Sequence, residues 1–197
     1  MHNPIEIDTE RLTLRQWCEA DREPFAVLCA DPRVVEFLLP ISGRMASDSL
    51  IDRLSSHILT TGWGFWATEL RASQEFIGFI GIQVPQTRYP FSPCVEAGWR
   101  LASKHWGNGY ATEGAKAALR VGFELLGLSE IVSFTAIDNK RSRSVMEKAG
   151  MKGNGETFKH PAIPDGHPLQ LQCLYRIARE DWLTQNKPID WLSMINI

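Results

Sequence analysis

The sequence predicts a mixed α+β fold: a mostly antiparallel, twisted sheet of about seven strands, with one parallel pair and helices on both faces. Three observations predict it. Apolar residues make up 44% of the 197 residues, enough for a packed core. Two strand-like segments, residues 64–70 and 75–84, are separated only by a tight turn at 71–74, which makes them an antiparallel hairpin. Between residues 95 and 137 the order is strand, loop, helix, strand, and such a crossover forces a local parallel pair.

The elements follow in order. Residues 11–17, RLTLRQW, alternate apolar and polar and read as a strand. Asp21 offers a cap for a helix through Cys29, with Pro24 tolerated in its first turn. Asp31-Pro32 starts a further short helical stretch. From 46 to 61, Leu50, Ile51, Leu54, Ile58 and Leu59 recur at helical spacing, and Gly62 ends the run. The hairpin comes next, then a loop rich in proline and aromatics at 85–93. In the strand at 95–101, Val95, Ala97, Trp99 and Leu101 share one face, and Glu96, Gly98 and Arg100 share the other. A helix to about Leu126 turns Ala111, Ala115, Leu119, Phe123 and Leu126 inward, and Gly127 stops it. A strand at 131–137, a short helix at 142–149 closed by Gly150, a weak strand at 151–158, the loop KHPAIPDGHPLQ and a last strand at 169–177 complete the order. Trp182 and Trp191 read as packing aromatics of the tail. No repeat or linker divides the chain, so the expectation is one domain over 1–197, with a core at about 7–179 and a C-terminal extension at 180–197.

Composition excludes several classes. The net charge is −2 and no long basic run occurs, so a nucleic-acid partner is not expected. Cys18, Cys29, Cys94 and Cys173 lie far apart and form no CxxC pair, so no metal site is expected, and they read as buried thiols of a reducing compartment. No apolar run approaches a membrane span, and residues 1–8 are polar, so a cytoplasmic protein without membrane contact is expected.

The stretch LASKHWGNGYATEG places Gly107 and Gly109 one residue apart at the mouth of a helix. A helix N-terminus leaves backbone N–H groups without partners and carries partial positive charge. Small residues there, Gly107, Gly109, Ala111 and Thr112, let an anion reach those groups. The P-loop pattern is absent, and the dinucleotide fingerprint fails because Thr112 stands where its third glycine belongs. A pyrophosphate loop written Gln/Arg-x-x-Gly-x-Gly/Ala matches residues 104–109 except at Lys104. A plain strand-to-helix turn remains the alternative.

Three segments in matching order, IDTERLTLRQW, residues 101–113 and DNKRSRSVMEKAGM at 138–151, resemble the GNAT superfamily of N-acetyltransferases. They look closest to the branch that acetylates ribosomal-protein N-termini, and the resemblance runs from about Ile7 to Arg179. It implies acetyl-coenzyme A (acetyl-CoA) as co-substrate. It places its pyrophosphate on the amides of Lys104, His105, Trp106, Gly107, Asn108, Gly109 and Tyr110, at the helix start with Ala111 and Thr112. Backbone groups of Trp99 and Leu101 would pair with the pantetheine arm between splayed parallel strands. Asn139 would hydrogen-bond that arm, with Ser142 one turn on, while Lys140, Arg141 and Arg143 each read as part of a solvated helix face, with attraction of coenzyme phosphates as the alternative.

Direct acetyl transfer needs a neutral amine, a donor for the oxyanion and a hydrogen bond or proton for the departing thiolate. Glu96 is the base candidate, against the alternative of a strand-face glutamate paired with a basic neighbour. A backbone N–H near Leu101 is the oxyanion donor. Family members often carry tyrosine seven residues after the asparagine; here that position is Met146, which leaves Ser142 as candidate, or as a mere helix cap. The acceptor is an unknown amine, with contacts expected from the two early helices and the loops at 85–93 and 158–168. The latter holds His160, Asp165 and His167; its histidines read as solvent-facing, with binding or deprotonating the acceptor as the alternative, while Trp63, Phe65 and Trp66 line an acceptor cleft or belong to the core. A noncatalytic acyl-CoA-binding module and a nucleotide-dependent enzyme are the competing readings, and the chain is expected as a monomer or homodimer.

Overall fold

The computed structural model describes residues 3–41, 43–186 and 195–196. Among these residues, nine strands form one sheet. They are β1 (Glu6–Asp8), β2 (Leu12–Arg15), β3 (Phe65–Leu70), β4 (Phe76–Gln83), β5 (Glu96–Leu101), β6 (Glu130–Ala136), β7 (Thr157–Lys159), β8 (Leu171–Ala178) and β9 (Ile195–Asn196). Their order across the sheet is β7-β8-β6-β5-β4-β3-β2-β1-β9. Every pairing is antiparallel except β5 with β6. The two strands beyond the expected seven, β1 and β9, are at one edge; with three and two residues they are too short for an alternation pattern to register.

The helices are α1 (Arg22–Ala30), α2 (Pro32–Val35), α3 (Gly43–Thr61), α4 (Tyr110–Arg120), α5 (Lys140–Lys148) and α6 (Arg179–Gln185). They take both faces of the sheet. Phe79 of β4 meets Phe25 of α1 with ring centroids 6.1 Å apart. Its neighbour Ile80 points the other way, and a Cβ at Gly114 of α4 would lie 2.4 Å from its Cδ1. Buried on both sides, β4 reads as a continuous apolar run rather than an alternation. After Arg120 the α4 ladder widens into a π-helical turn, Val121–Leu125, and Gly127 ends it with φ +67°. Trp182 of α6 closes this face, 1% exposed and 5.8 Å from Phe123. Trp191 lies outside the described residues.

Several local expectations are corrected. Asp21 does not cap α1; its carboxylate takes both Nη atoms of Arg15 at 2.8 Å and the Cys18 amide at 2.9 Å. A buried carboxylate is better satisfied by a bidentate guanidinium than by a helix end. Asp31 does cap α2, accepting from the Arg33 amide at 3.0 Å. Leu59 is exposed on α3, because the core needs only the stripe formed by Ile51, Leu54 and Ile58. Residues 151–158 pair only through one bridge, Lys152 with Arg176, and then through β7.

Gly78 has a backbone that only glycine adopts readily, with φ +137°, and a Cβ there would lie 2.0 Å from the carbonyl oxygen of Arg100. Gly78→Ala is expected to destabilise the fold by about 3 kcal/mol or more. Urea unfolding of the variant beside the wild type measures it.

Candidate functional site

The parallel pair joins at one register position only, Glu96 opposite Val132, where the Val132 amide donates to the Val95 carbonyl at 2.9 Å. Beyond it the strands part. Strand geometry turns the N–H and C=O groups of every second residue to the same side. Those of Trp99 and Leu101 therefore face the gap, as Val95 O does, and no further strand pair follows there. The indole Nε1 of Trp106 donates to the Leu101 carbonyl at 2.9 Å. The gap opens into a cleft of about 960 Å³. Its walls are β5, β6, the start of α4, the start of α5 and the segment around α2.

At one end of the cleft lies the glycine loop. Gly107 and Gly109 have φ +80° and +84°, and Gly109 directly precedes α4. The amides of His105 and Trp106 are engaged with Ala102 O and Ser103 O at 2.9 and 3.2 Å, closing a 3-10 turn. That narrows the expected amide set. Among the described residues, the amides of Gly107, Asn108, Gly109, Tyr110, Ala111 and Thr112 have no backbone partner. The Lys104 side chain pairs with Glu75, outside the cleft lining, and His105 Nε2 lies 3.3 Å from the same carboxylate.

Arg11 holds this loop in place, and sequence reading missed it. Its Nε lies 2.6 Å from Glu113 Oε2 and its Nη1 donates to the Asn108 carbonyl at 2.9 Å. Its guanidinium lies 4.8 Å from the Tyr110 ring centroid. Burial opposes ionisation of Glu113, but hydrogen bonds from Thr9 and Arg11 hold its carboxyl below the ordinary value. The contact spans 102 sequence positions, so only the closed sheet brings it together.

Glu96 stands at the point where the strands part and lines the cleft. It has no ion pair among the described residues. Burial alone pushes its carboxyl from 4.5 up to about 7. Gly98, next on the same face, leaves room for the Phe65 ring; a Cβ there would lie 2.9 Å from Phe65 Cζ. Phe65 lines the cleft, whereas Trp66 is fully buried core with its Nε1 on Ile5 O, and Trp63 packs edge-on to His57.

On α5, Asn139 is the helix cap. Its Oδ1 accepts from the Ser142 amide at 3.2 Å and its Nδ2 donates to Thr135 Oγ1 at 2.9 Å. Ser142 is therefore not the cap; it lines the cleft beside Asn139, Lys140 and Arg141. Arg143 turns away and bonds Tyr175 Oη and Ile137 O at 3.2 and 3.3 Å. Arg141 stacks on Trp106, 4.6 Å from the ring centroid, and pairs with Glu36 at 2.6 Å. Met146 is fully buried in the main core.

The expected acceptor loops do not enter the cleft lining. Tyr89, Phe91, Phe158 and His160 instead stack together behind Phe134, and it is Phe134 that reaches the cleft. His160 is not solvent-facing: it is half-buried, 3.2 Å from Tyr89 Oη, and burial lowers its pKa. Aromatic burial is stronger than the polar look of that loop. The segment around α2, with Arg33, Val34, Phe37 and Leu38, takes the place of these loops at the cleft.

The model of the Acetyltransferase (GNAT) domain matches residues 11–152. An Aspergillus fumigatus protein, FsC-acetyl coenzyme A-N(2)-transacetylase, is 33% identical over 92% of this chain and 80% of its own length. The crystal structure of an acetyltransferase from Agrobacterium tumefaciens is 29% identical, covers 90% of this chain and 95% of that one, and superposes with a TM-score of 0.66. A ribosomal-protein-S5-alanine acetyltransferase from Vibrio fischeri shares the fold, with a TM-score of 0.70 at 16% identity over 90% of this chain and 98% of that one. A cleft between parted parallel strands, closed at one end by a loop of unpartnered amides, is thus found in a chain whose sequence and fold both match one family, and the chain belongs to the GNAT acetyltransferases.

Proposed function

We propose that this enzyme moves the acetyl group of acetyl-CoA directly to a primary amine, with Glu96 as general base. The observation that carries the reading is the position of Glu96: a carboxylate with no ion pair among the described residues, pushed by burial to a pKa of about 7, at the parting of the parallel strands. In this reading the amides of residues 107–112 hold the pyrophosphate, backed by the helix dipole of α4. Trp99 and Leu101 pair with the pantetheine arm through their backbone groups, and the Leu101 region supplies the oxyanion donor. Asn139 orients the arm through the amide hydrogen and lone pair that its capping bonds leave over. Ser142 hydrogen-bonds the departing thiolate, a role favoured by its hydroxyl lining the cleft with no protein partner among the described residues. The acceptor is a small molecule or a protein N-terminus; the name of the Aspergillus fumigatus relative, an N(2)-transacetylase, supports an amine nitrogen as the point of transfer. We place the protein in the cytoplasm, as a monomer or homodimer.

Calorimetric titration with acetyl-CoA, followed by coenzyme A release with a panel of amines, tests this reading. Saturable binding and amine-dependent release support it. Binding without release from any amine favours a noncatalytic acyl-CoA-binding module, which the burial of Met146 in place of a tyrosine acid keeps in contention.

Arg11→Ala removes the clamp on the glycine loop without touching the proposed amides. It is expected to weaken acetyl-CoA binding about tenfold, while Glu96-dependent chemistry at saturation stays within about twofold. Calorimetry and saturation kinetics on the same variant separate the two.

A further inference from the structure

Arg100 is on the same strand face as Glu96 and lines the cleft. Its guanidinium carries five donors and is always charged. Among the described residues it makes one weak hydrogen bond, from Nη1 to the Cys29 sulfur at 3.5 Å, and it has no carboxylate partner. Its Nε is out of contact with solvent and has no partner among those residues. The Phe79 ring covers one side, 5.6 Å from the guanidinium carbon. Burial pulls the group below its ordinary pKa, and Cys29 offers little relief, because burial raises that thiol and keeps it neutral. A half-buried arginine left this poorly satisfied is costly to the fold and is retained where an anion completes it.

We infer that Arg100 binds a carboxylate of the acceptor, so that the substrate is an amine that also carries an anionic oxygen several bonds away. The inference rests on the acetyl-transfer reading for the amine and on Arg100 alone for the carboxylate. Glu96 and Arg100 are four residues apart on one strand, roughly 13 Å along its axis. An amino acid with its amine and carboxylate at opposite ends would span that interval together with the reach of the two long side chains, passing over the Phe65 ring that covers Gly98. The amine would meet Glu96, while the carboxylate meets the Nη groups of Arg100, whose Nε stays enclosed. A polycation has no group to satisfy this arginine and is disfavoured by it.

The test uses glycine, β-alanine, 4-aminobutyrate and 6-aminohexanoate beside the unbranched amines that lack only the carboxylate. Each is assayed for turnover with acetyl-CoA and for binding to protein saturated with coenzyme A. In the wild type, the best carboxylate member is expected to exceed its matched amine in kcat/KM by roughly tenfold or more, the scale of a charge-assisted hydrogen bond. Arg100→Met should bring that ratio to about one while leaving the affinity for acetyl-CoA unchanged, which also certifies the fold. Arg100→Lys should restore part of the ratio. Carboxylate-dependent binding that Arg100→Met abolishes, with no turnover of any amine, would sustain this inference and sink the transfer reading. Turnover of amines with equal efficiency with and without the carboxylate would sink this inference and leave the transfer reading intact. A panel in which no carboxylate member binds or reacts also overturns it.

Discussion

Glu96→Gln is expected to lower kcat by about 100-fold or more, with acetyl-CoA affinity unchanged. The substitution keeps size and hydrogen bonding but cannot take a proton. The wild-type kcat/KM should rise with pH through an apparent pKa of about 7 and level off above it, because the base works only when ionised. The variant should lose that inflection. A purely structural glutamate would shift stability and leave the profile in place. Stability supplies a second reading with its own sign. The folded protein holds the Glu96 proton more tightly than the unfolded chain, so it binds more protons between 4.5 and about 7. The Glu96 contribution to stability therefore falls as pH rises through that window. The gap corresponds to about 3 kcal/mol at most. Glu96→Gln should match the wild type near about pH 5 and exceed it near about pH 8. Denaturant unfolding at the two pH values checks this, and a difference that shrinks with rising pH would remove the buried, ionising Glu96 from the account.

Gly109→Asp is expected to weaken acetyl-CoA binding by about 100-fold or more. Two effects act together. Gly109 has φ +84°, where a side chain strains the backbone at the start of α4. The carboxylate would also sit at the mouth of the unpartnered amides and repel or replace an anion there. The open space around the position limits the damage to the fold: a Cβ would meet only the far end of Arg11, at 3.4 Å. Calorimetry beside thermal unfolding distinguishes a lost site from a lost fold. A folded Gly109→Asp protein that binds acetyl-CoA like the wild type would make the loop a mere connector.

The features readable in the sequence are those carried by local chemistry. Alternation gave away β2, β5 and β8, and the helical stripe gave away α3, because burial of one face imposes a period on neighbouring residues, while the tight turn at 71–74 gave away the β3–β4 hairpin. The loop at Gly107 and Gly109 was readable because glycine and a helix start announce themselves within a few residues. Glu96 was readable as an ionisable residue in an apolar strand. Short elements were not: β1 and β9 have no room for a period.

What the sequence by itself determined is the class of fold; it also marked the glycine loop and the candidate base, and all of these depend on residues close together in the chain. Only the tertiary structure decided that Asn139 caps α5 while Ser142 lines the cleft, and that Arg143 turns away. It alone joined Arg11 to Glu113 and left Arg100 without a carboxylate among the described residues. It also removed the expected loops from the cleft and put the segment around α2 there. The physical reason is common to all of these. Whether a polar group is satisfied or left in want of a ligand depends on neighbours that the folded sheet brings from far along the chain, and no local pattern records them.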